Sequence, residues 1–237
     1  LYLEDCNVNI QNTLFIGNLT DGGSGAGLHC STNTDGLSVT VMNCTFFGNT
    51  NNAADGGGIH FSDFSPSGVS MTVTNTILWG NTAAGMGNQM YNDGSNPVIS
   101  YCDIQGAYSS GWDGSLGTEG IGNIDVDPEF IDDTVDLDGG DDVFGTADDG
   151  LMIDGATSQC ADNGTDVNAP TTDITGLYRP QMTGHDMGAF EAPDPMFITL
   201  TMVSSAVEGD TVTATASISV VQGADVDITI TDDYSCS

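Results

Sequence analysis

Asn12-Thr-Leu-Phe-Ile-Gly-Asn18, Asn43-Cys-Thr-Phe-Phe-Gly-Asn49 and Asn75-Thr-Ile-Leu-Trp-Gly-Asn81 are three copies of one heptapeptide, at spacings of 31 and 32 residues. A weaker copy follows at Tyr101-Cys-Asp-Ile-Gln-Gly106. A second box keeps phase with the first: Gly25-Ala-Gly-Leu-His29, Gly56-Gly-Gly-Ile-His60 and a degraded Gly85-Met-Gly-Asn-Gln89. Between boxes lie segments of period two, such as Leu37-Ser-Val-Thr-Val-Met42 and Val69-Ser-Met-Thr-Val-Thr74, which read as strands. Each repeat therefore holds about three short strands separated by Gly, Asn and Asp turns. A unit this small cannot close its own core, so repeats must stack, strand over strand at roughly 4.8 Å, around one shared apolar column. The expected architecture is all-β, a parallel β-helix or solenoid. Phe15, Phe46 and Leu78 form one level of the column, or Ile16, Phe47 and Trp79 do, depending on which face points inward.

That stacking gives the repeated asparagines a purpose. Asn12, Asn43 and Asn75, and likewise Asn18, Asn49 and Asn81, fall at equivalent positions, where their amides can form ladders that satisfy turn backbone. Asn18-Leu-Thr, Asn43-Cys-Thr and Asn163-Gly-Thr also match the glycosylation sequon, and the ladder is preferred for the first two. The Gly boxes mark positive φ or close backbone approach. His29 and His60 repeat as well and are expected as a solvent-facing pair one rung apart.

Composition limits the partners. One Lys or Arg against 34 acids gives a formal charge of −33, and 29 of the acids are Asp. Nucleic acid and anionic lipid are excluded as partners because both need cationic residues, and no apolar run reaches membrane-spanning length. Six scattered cysteines show no zinc spacing, and their disulfide pairing cannot be read. The chain opens inside a repeat without Met or a signal peptide, and reads as a trimmed piece of something longer.

Acids concentrate between 125 and 154. Asp136, Asp138, Asp141, Asp142, Asp148 and Asp149, broken by Gly139, Gly140 and Gly145, can fold back and offer several oxygens to Ca²⁺, which takes six to eight. The spacing is not that of an EF-hand. A solvated acidic loop is the alternative.

Four motifs in order, Asp127-Pro-Glu-Phe-Ile131, Gly139-Gly-Asp-Asp-Val-Phe-Gly-Thr-Ala-Asp-Asp149, Tyr178-Arg-Pro180 and Asp186-Met-Gly-Ala-Phe-Glu191, carry a resemblance over residues 1 to 192. The chain resembles the C-terminal end of secreted bacterial right-handed parallel β-helix proteins of the pectate-lyase-like, choice-of-anchor group. Its repeats are also similar to those of polymorphic outer-membrane adhesins. The resemblance implies a right-handed helix, an extracellular or cell-surface location, and a last motif that ends the solenoid. Within it, Arg179 is expected to form a structural ion pair with Asp186 and Glu191 that closes the last coil.

Catalysis has little support in the sequence. Lyases on this fold generally use an Arg or Lys base, and here Lys is absent and the one Arg sits in the closing motif. A hydrolase using paired Asp residues remains the alternative. After Pro193, three alternating stretches, Phe197–Val203, Thr211–Val221 and Val226–Thr231, resemble the start of an immunoglobulin-like sandwich, but 45 residues are too few to finish one. The functional expectation is a non-catalytic, calcium-stabilised surface, adhesive or structural module. Its expected partners are neighbouring copies, other surface proteins or glycans, with assembly through open strand edges.

Overall fold

The structure, a computed structural model, describes residues 1–65 and 68–193, with the backbone of strands Ile198–Thr201 and Thr215–Ile218. Two compact units divide the chain, Leu1–Ala192 and Pro193–Ser237. The first is an all-β solenoid of four sheets, every one parallel. Its first sheet stacks Tyr2–Glu4, Leu28–Thr32, Ile59–Asp63 and Met90–Asp93. The second stacks Val8–Gln11, Ser38–Met42, Ser70–Thr74, Val98–Ser100 and Thr118–Glu119. Leu14–Ile16, Thr45–Phe47, Ile77–Trp79 and Asp103–Ile104 form the third, and Leu19–Thr20, Thr50–Asn51 and Thr82–Ala83 the fourth. Each full coil thus has four strands where the sequence suggests about three, because a two-residue strand carries no periodicity to read.

Phe15, Phe46, Leu78 and Ile104 lie in register and point inward. The first two rings stack at 4.3 Å and 3°. Val39 over Met71, Val41 over Val73 and Ile99, and Leu28 over Ile59 and Met90 fill the rest of the column. Register also corrects the third Gly box. Residue 28 pairs with 59 and 59 with 90, so His60 faces Tyr91 and the equivalent glycines are Gly25, Gly56 and Gly87. All three have φ near +70°, where an L side chain is strained. The step then shortens: Leu78 pairs with Ile104 only 26 residues on, and Ala107 and Leu116, with Tyr108 and Trp112, close the column.

Residues 125–192 do not make further coils. They run back along the outside of the third sheet, over the row Ile16, Phe47 and Trp79. Ile153, Met187 and Ala192 pack with Ile77, and Leu151, Met152, Ala189 and Phe190 pack with Leu14, Ile16 and Phe47. The expectation that the final motif closes the last coil is therefore corrected: it straps the flank of earlier coils. The cause lies in the third strand, which is apolar on both faces and needs cover outside as well as inside.

In the second unit, Ile198–Thr201 pairs antiparallel with Thr215–Ile218. The third stretch expected there, Val226–Thr231, lies outside the described residues, so no immunoglobulin-like segment is described.

Candidate functional site

The two asparagine rows do different work. Asn18 Nδ2 donates to Asn49 Oδ1 at 2.7 Å, and Asn49 Nδ2 to Asn81 Oδ1 at 2.8 Å. The backbone N–H groups of Asn18 and Asn49 donate to the same oxygens. Asn81 passes the ladder to Gln89 Oε1 at 2.6 Å, and Gln89 to Gln105 Oε1 at 3.0 Å. Asn12, Asn43 and Asn75 instead sit at φ of 45°, 49° and 48°, the left-handed turn that Asn tolerates. They share one rung, Asn75 to Asn43 at 3.2 Å, and otherwise hold the strap. Asn12 donates to Thr172 O, Asn43 to Asp186 O and Asn75 to Thr165 O, while Thr165 N donates back to Asn75 Oδ1 at 2.9 Å.

Following these turns, Thr13 and Thr76 hydroxyls and the Cys44 and Cys102 thiols each donate to the carbonyl two residues back. The cysteines thus stand in for threonine, and no disulfide joins the described ones.

Arg179, 6% exposed, anchors the strap's end. Its Nη1 lies 2.6 Å from Glu191 Oε2, and Nη2 donates to Gly188 O. Asp186 contributes its carbonyl to Arg179; its carboxylate accepts from the N–H groups of Asp162 and Ala192.

The acidic loop is arranged around its own donors. Asp148 Oδ2 accepts from Gly140 N, Asp149 Oδ2 from Gly145 N and Asp141 Oδ1 from Val143 N, and Thr146 Oγ1 lies 2.8 Å from Asp148 Oδ1. Partial desolvation and the charges of Asp138, Asp142 and Asp132 hold the Asp136 carboxyl above its ordinary range. Among the described residues no group of three or more His, Cys, Asp or Glu is placed to hold a metal. Of the six candidate ligands, Asp141, Asp148 and Asp149 accept hydrogen bonds from the loop itself.

His29 and His60 are adjacent, with ring centroids 4.9 Å apart, in a column running Tyr2, His29, His60, Tyr91. His60 is only 5% exposed, which corrects the solvent-facing reading. Burial first, and His29 beside it, push its pKa down to about 4, so it stays neutral and packs as an aromatic.

A groove of about 790 Å³ follows the outer face of the second sheet. Its floor is two registered rows, Asn9–Thr40–Thr72 and Gln11–Met42–Thr74–Ser100. The strap supplies one wall with Thr165, Val167 and Asn168, and Tyr101 and Ile121 stand at the end. No lining side chain is a carboxylate, imidazole, amine or guanidinium. A smaller hollow of about 510 Å³ shares Tyr101 and Thr165 with the groove and adds Asp162, Asp166 and His185. There Asp162 Oδ1 is already bonded to the N–H groups of Thr183 and Gly184.

The groove was invisible in sequence because its wall, beginning at Thr165, lies 65 or more positions beyond a floor that ends at Ser100. One signal existed: Thr, Ser, Asn and Gln at alternate positions of successive second-sheet strands, facing away from the column. Neither family models, nor curated proteins, nor solved structures gave a match to this chain.

Proposed function

We propose that the chain is a non-catalytic, secreted surface module of adhesive or structural type, built as a right-handed parallel β-helix. The supporting observation is that no carboxylate, imidazole, amine or guanidinium lines its groove, where the Tyr101 phenol is the one titratable side chain. A polysaccharide-active enzyme is the second reading. The hollow with Asp162, Asp166 and His185 beside the groove favours it. Incubation with neutral and acidic glycans is expected to yield no new reducing or unsaturated ends, and Asp166→Asn no change. Turnover that D166N abolishes would establish the enzyme instead.

Calcium stabilisation belongs to the same proposal and rests on charge, −33 with one Arg, rather than on a formed cage. Added Ca²⁺ is expected to raise the melting midpoint and a chelator to reverse it, beyond what matched ionic strength does. An unchanged midpoint means that the loop's internal hydrogen bonds suffice. Neighbouring copies are proposed as partners alongside glycans, through strand edges. Light scattering that finds only monomer in Ca²⁺ removes that part.

A further inference from the structure

We propose that the adjacent imidazoles of His29 and His60 form a two-histidine site for a divalent transition-metal ion, Zn²⁺ or Cu²⁺, on the outer face of the first sheet. The site is separate from the groove and from the acidic loop, and it does not depend on the surface-module reading. Register places it. Leu28–Thr32 and Ile59–Asp63 are neighbouring parallel strands with His29 directly opposite His60, so both rings leave the same face of the sheet one rung apart. Their centres are 4.9 Å apart and their planes cross at 85°. A metal about 2.0–2.1 Å from each ligating nitrogen stands roughly 3.2 Å from each ring centre, so two imidazoles at about 100° around one ion have centres roughly 4.9 Å apart. The spacing already present is that of a chelating pair.

An uncommitted nitrogen is the second observation. His60 is 5% exposed, and its Nδ1 is buried without a hydrogen-bond partner. Leaving a buried imidazole nitrogen unpaired is unfavourable, and metal ligation satisfies it. His29 beside it is only half-buried, which leaves an ion a path from solvent. Tyr2 and Tyr91 pack on the far sides of the two rings, so the column holds a single histidine pair.

The surroundings suit a cation of this class. Burial holds both imidazoles below their ordinary pKa, so at neutral pH an ion meets unprotonated ligands and displaces no proton. Asp55 and Asp93 put negative charge near His60, and the whole molecule carries −33. Imidazole selects Zn²⁺ and Cu²⁺ over Ca²⁺, whose ligands are oxygens. Among the described residues no third His, Cys, Asp or Glu is placed to join the pair, so water completes the shell and the ion exchanges freely.

The test is titration of the full chain with Zn²⁺ in excess Ca²⁺, which occupies carboxylates and leaves imidazoles free, read by calorimetry and by the Cε1–H resonances of the three histidines. Saturable binding is expected to shift the His29 and His60 resonances and leave that of His185 in place, and Cu²⁺ should bind more tightly than Zn²⁺. His29→Phe and His60→Phe each keep a ring in the column and remove a ligand, so each should weaken binding at least about tenfold while melting as wild type without Zn²⁺. Zn²⁺ should raise the melting midpoint of the wild type and of neither variant. Should H60F fail to fold, H29F at the more exposed position and the resonances decide. No saturable Zn²⁺ binding in excess Ca²⁺, binding that H29F leaves intact, or a shift confined to His185 overturns the assignment.

Discussion

Arg179→Met is expected to detach the strap, at a cost of about 3–5 kcal/mol, the range for breaking a buried ion pair from one side. Arg179 and Glu191 are 6% and 1% exposed, and their contact is 2.6 Å. Met keeps the apolar stem and removes the charge. Glu191 would still accept from Gln181 N and Asp186 N, but as a buried carboxylate without its cation it must take up a proton or reach water. Burial already raises its pKa, and the charge of Arg179 opposes that rise. The strap is the element that can open to let water in. Gly188 N donates to Asn75 O at 2.8 Å and Ala189 N to the Thr45 hydroxyl at 3.1 Å. Hydrogen exchange at those two amides should accelerate about 100-fold or more, from ~1.4 kcal/mol per decade, while amides of the buried strand Ser38–Met42 change less. Coils stack through nearest neighbours, so partial opening is open to a solenoid. The double variant R179M/E191Q should be less damaged than R179M, since it buries no lone charge and keeps one acceptor for the two amides. Equal exchange in R179M and wild type would mean that apolar packing alone holds the strap.

Why the coils were legible and the strap was not follows from the third strand. Asn-x-x-Phe-x-Gly-Asn fixes phase, and Phe15, Phe46 and Leu78 do lie in one registered row. The sequence left Ile16, Phe47 and Trp79 as the other choice for that row because both rows are apolar. Both rows pack: a strand with apolar residues on both faces is covered on both, and that run is the sign of a second layer. The cover comes from segments with almost no regular pairing, tied by side chain to backbone bonds such as Asn43 to Asp186 O, which leave no periodicity. The acidic loop is ambiguous for another reason. Asp at a turn serves a backbone N–H as readily as a cation, as Asp141 does for Val143, and residue type cannot separate the two uses. A slipped Gly box has a local cause as well. The extra residue that the second sheet gains between Asp63 and Ser70 is lost again between Ala83 and Met90, so box spacing differs from heptapeptide spacing.

Acidification from about pH 8 to about pH 5 is expected to stabilise the solenoid, opposite to ordinary acid denaturation. Two buried carboxyls are responsible, one beneath the strap and one within it. Asp103, wholly buried on the outer face of the third sheet, is pushed up to about 7 by burial, with the charges of Asp125 and Asp127 adding to the rise. Asp186, 3% exposed, is likewise raised to about 7 by burial and then by Glu191. Unfolded, each has a pKa of about 3.9. Between those values the folded chain holds protons that the unfolded chain has released, so stability falls as pH rises through the window and is greatest at its acid end. Three units on one group correspond to about 4 kcal/mol, an order-of-magnitude figure. General relief of the −33 charge acts in the same direction, and Asp103→Asn separates the two. Asn is neutral throughout, keeps an oxygen for Val126 N, and presents its amide to the Cys160 sulfur in place of the bond at 3.2 Å. At about pH 8, D103N should therefore melt higher than wild type by several degrees; near pH 5, where Asp103 is protonated, the two should converge. Melting curves that stay parallel across the range, or a wild type that loses stability on mild acidification, would show that Asp103 is ionised beneath the strap and that its charge is met there.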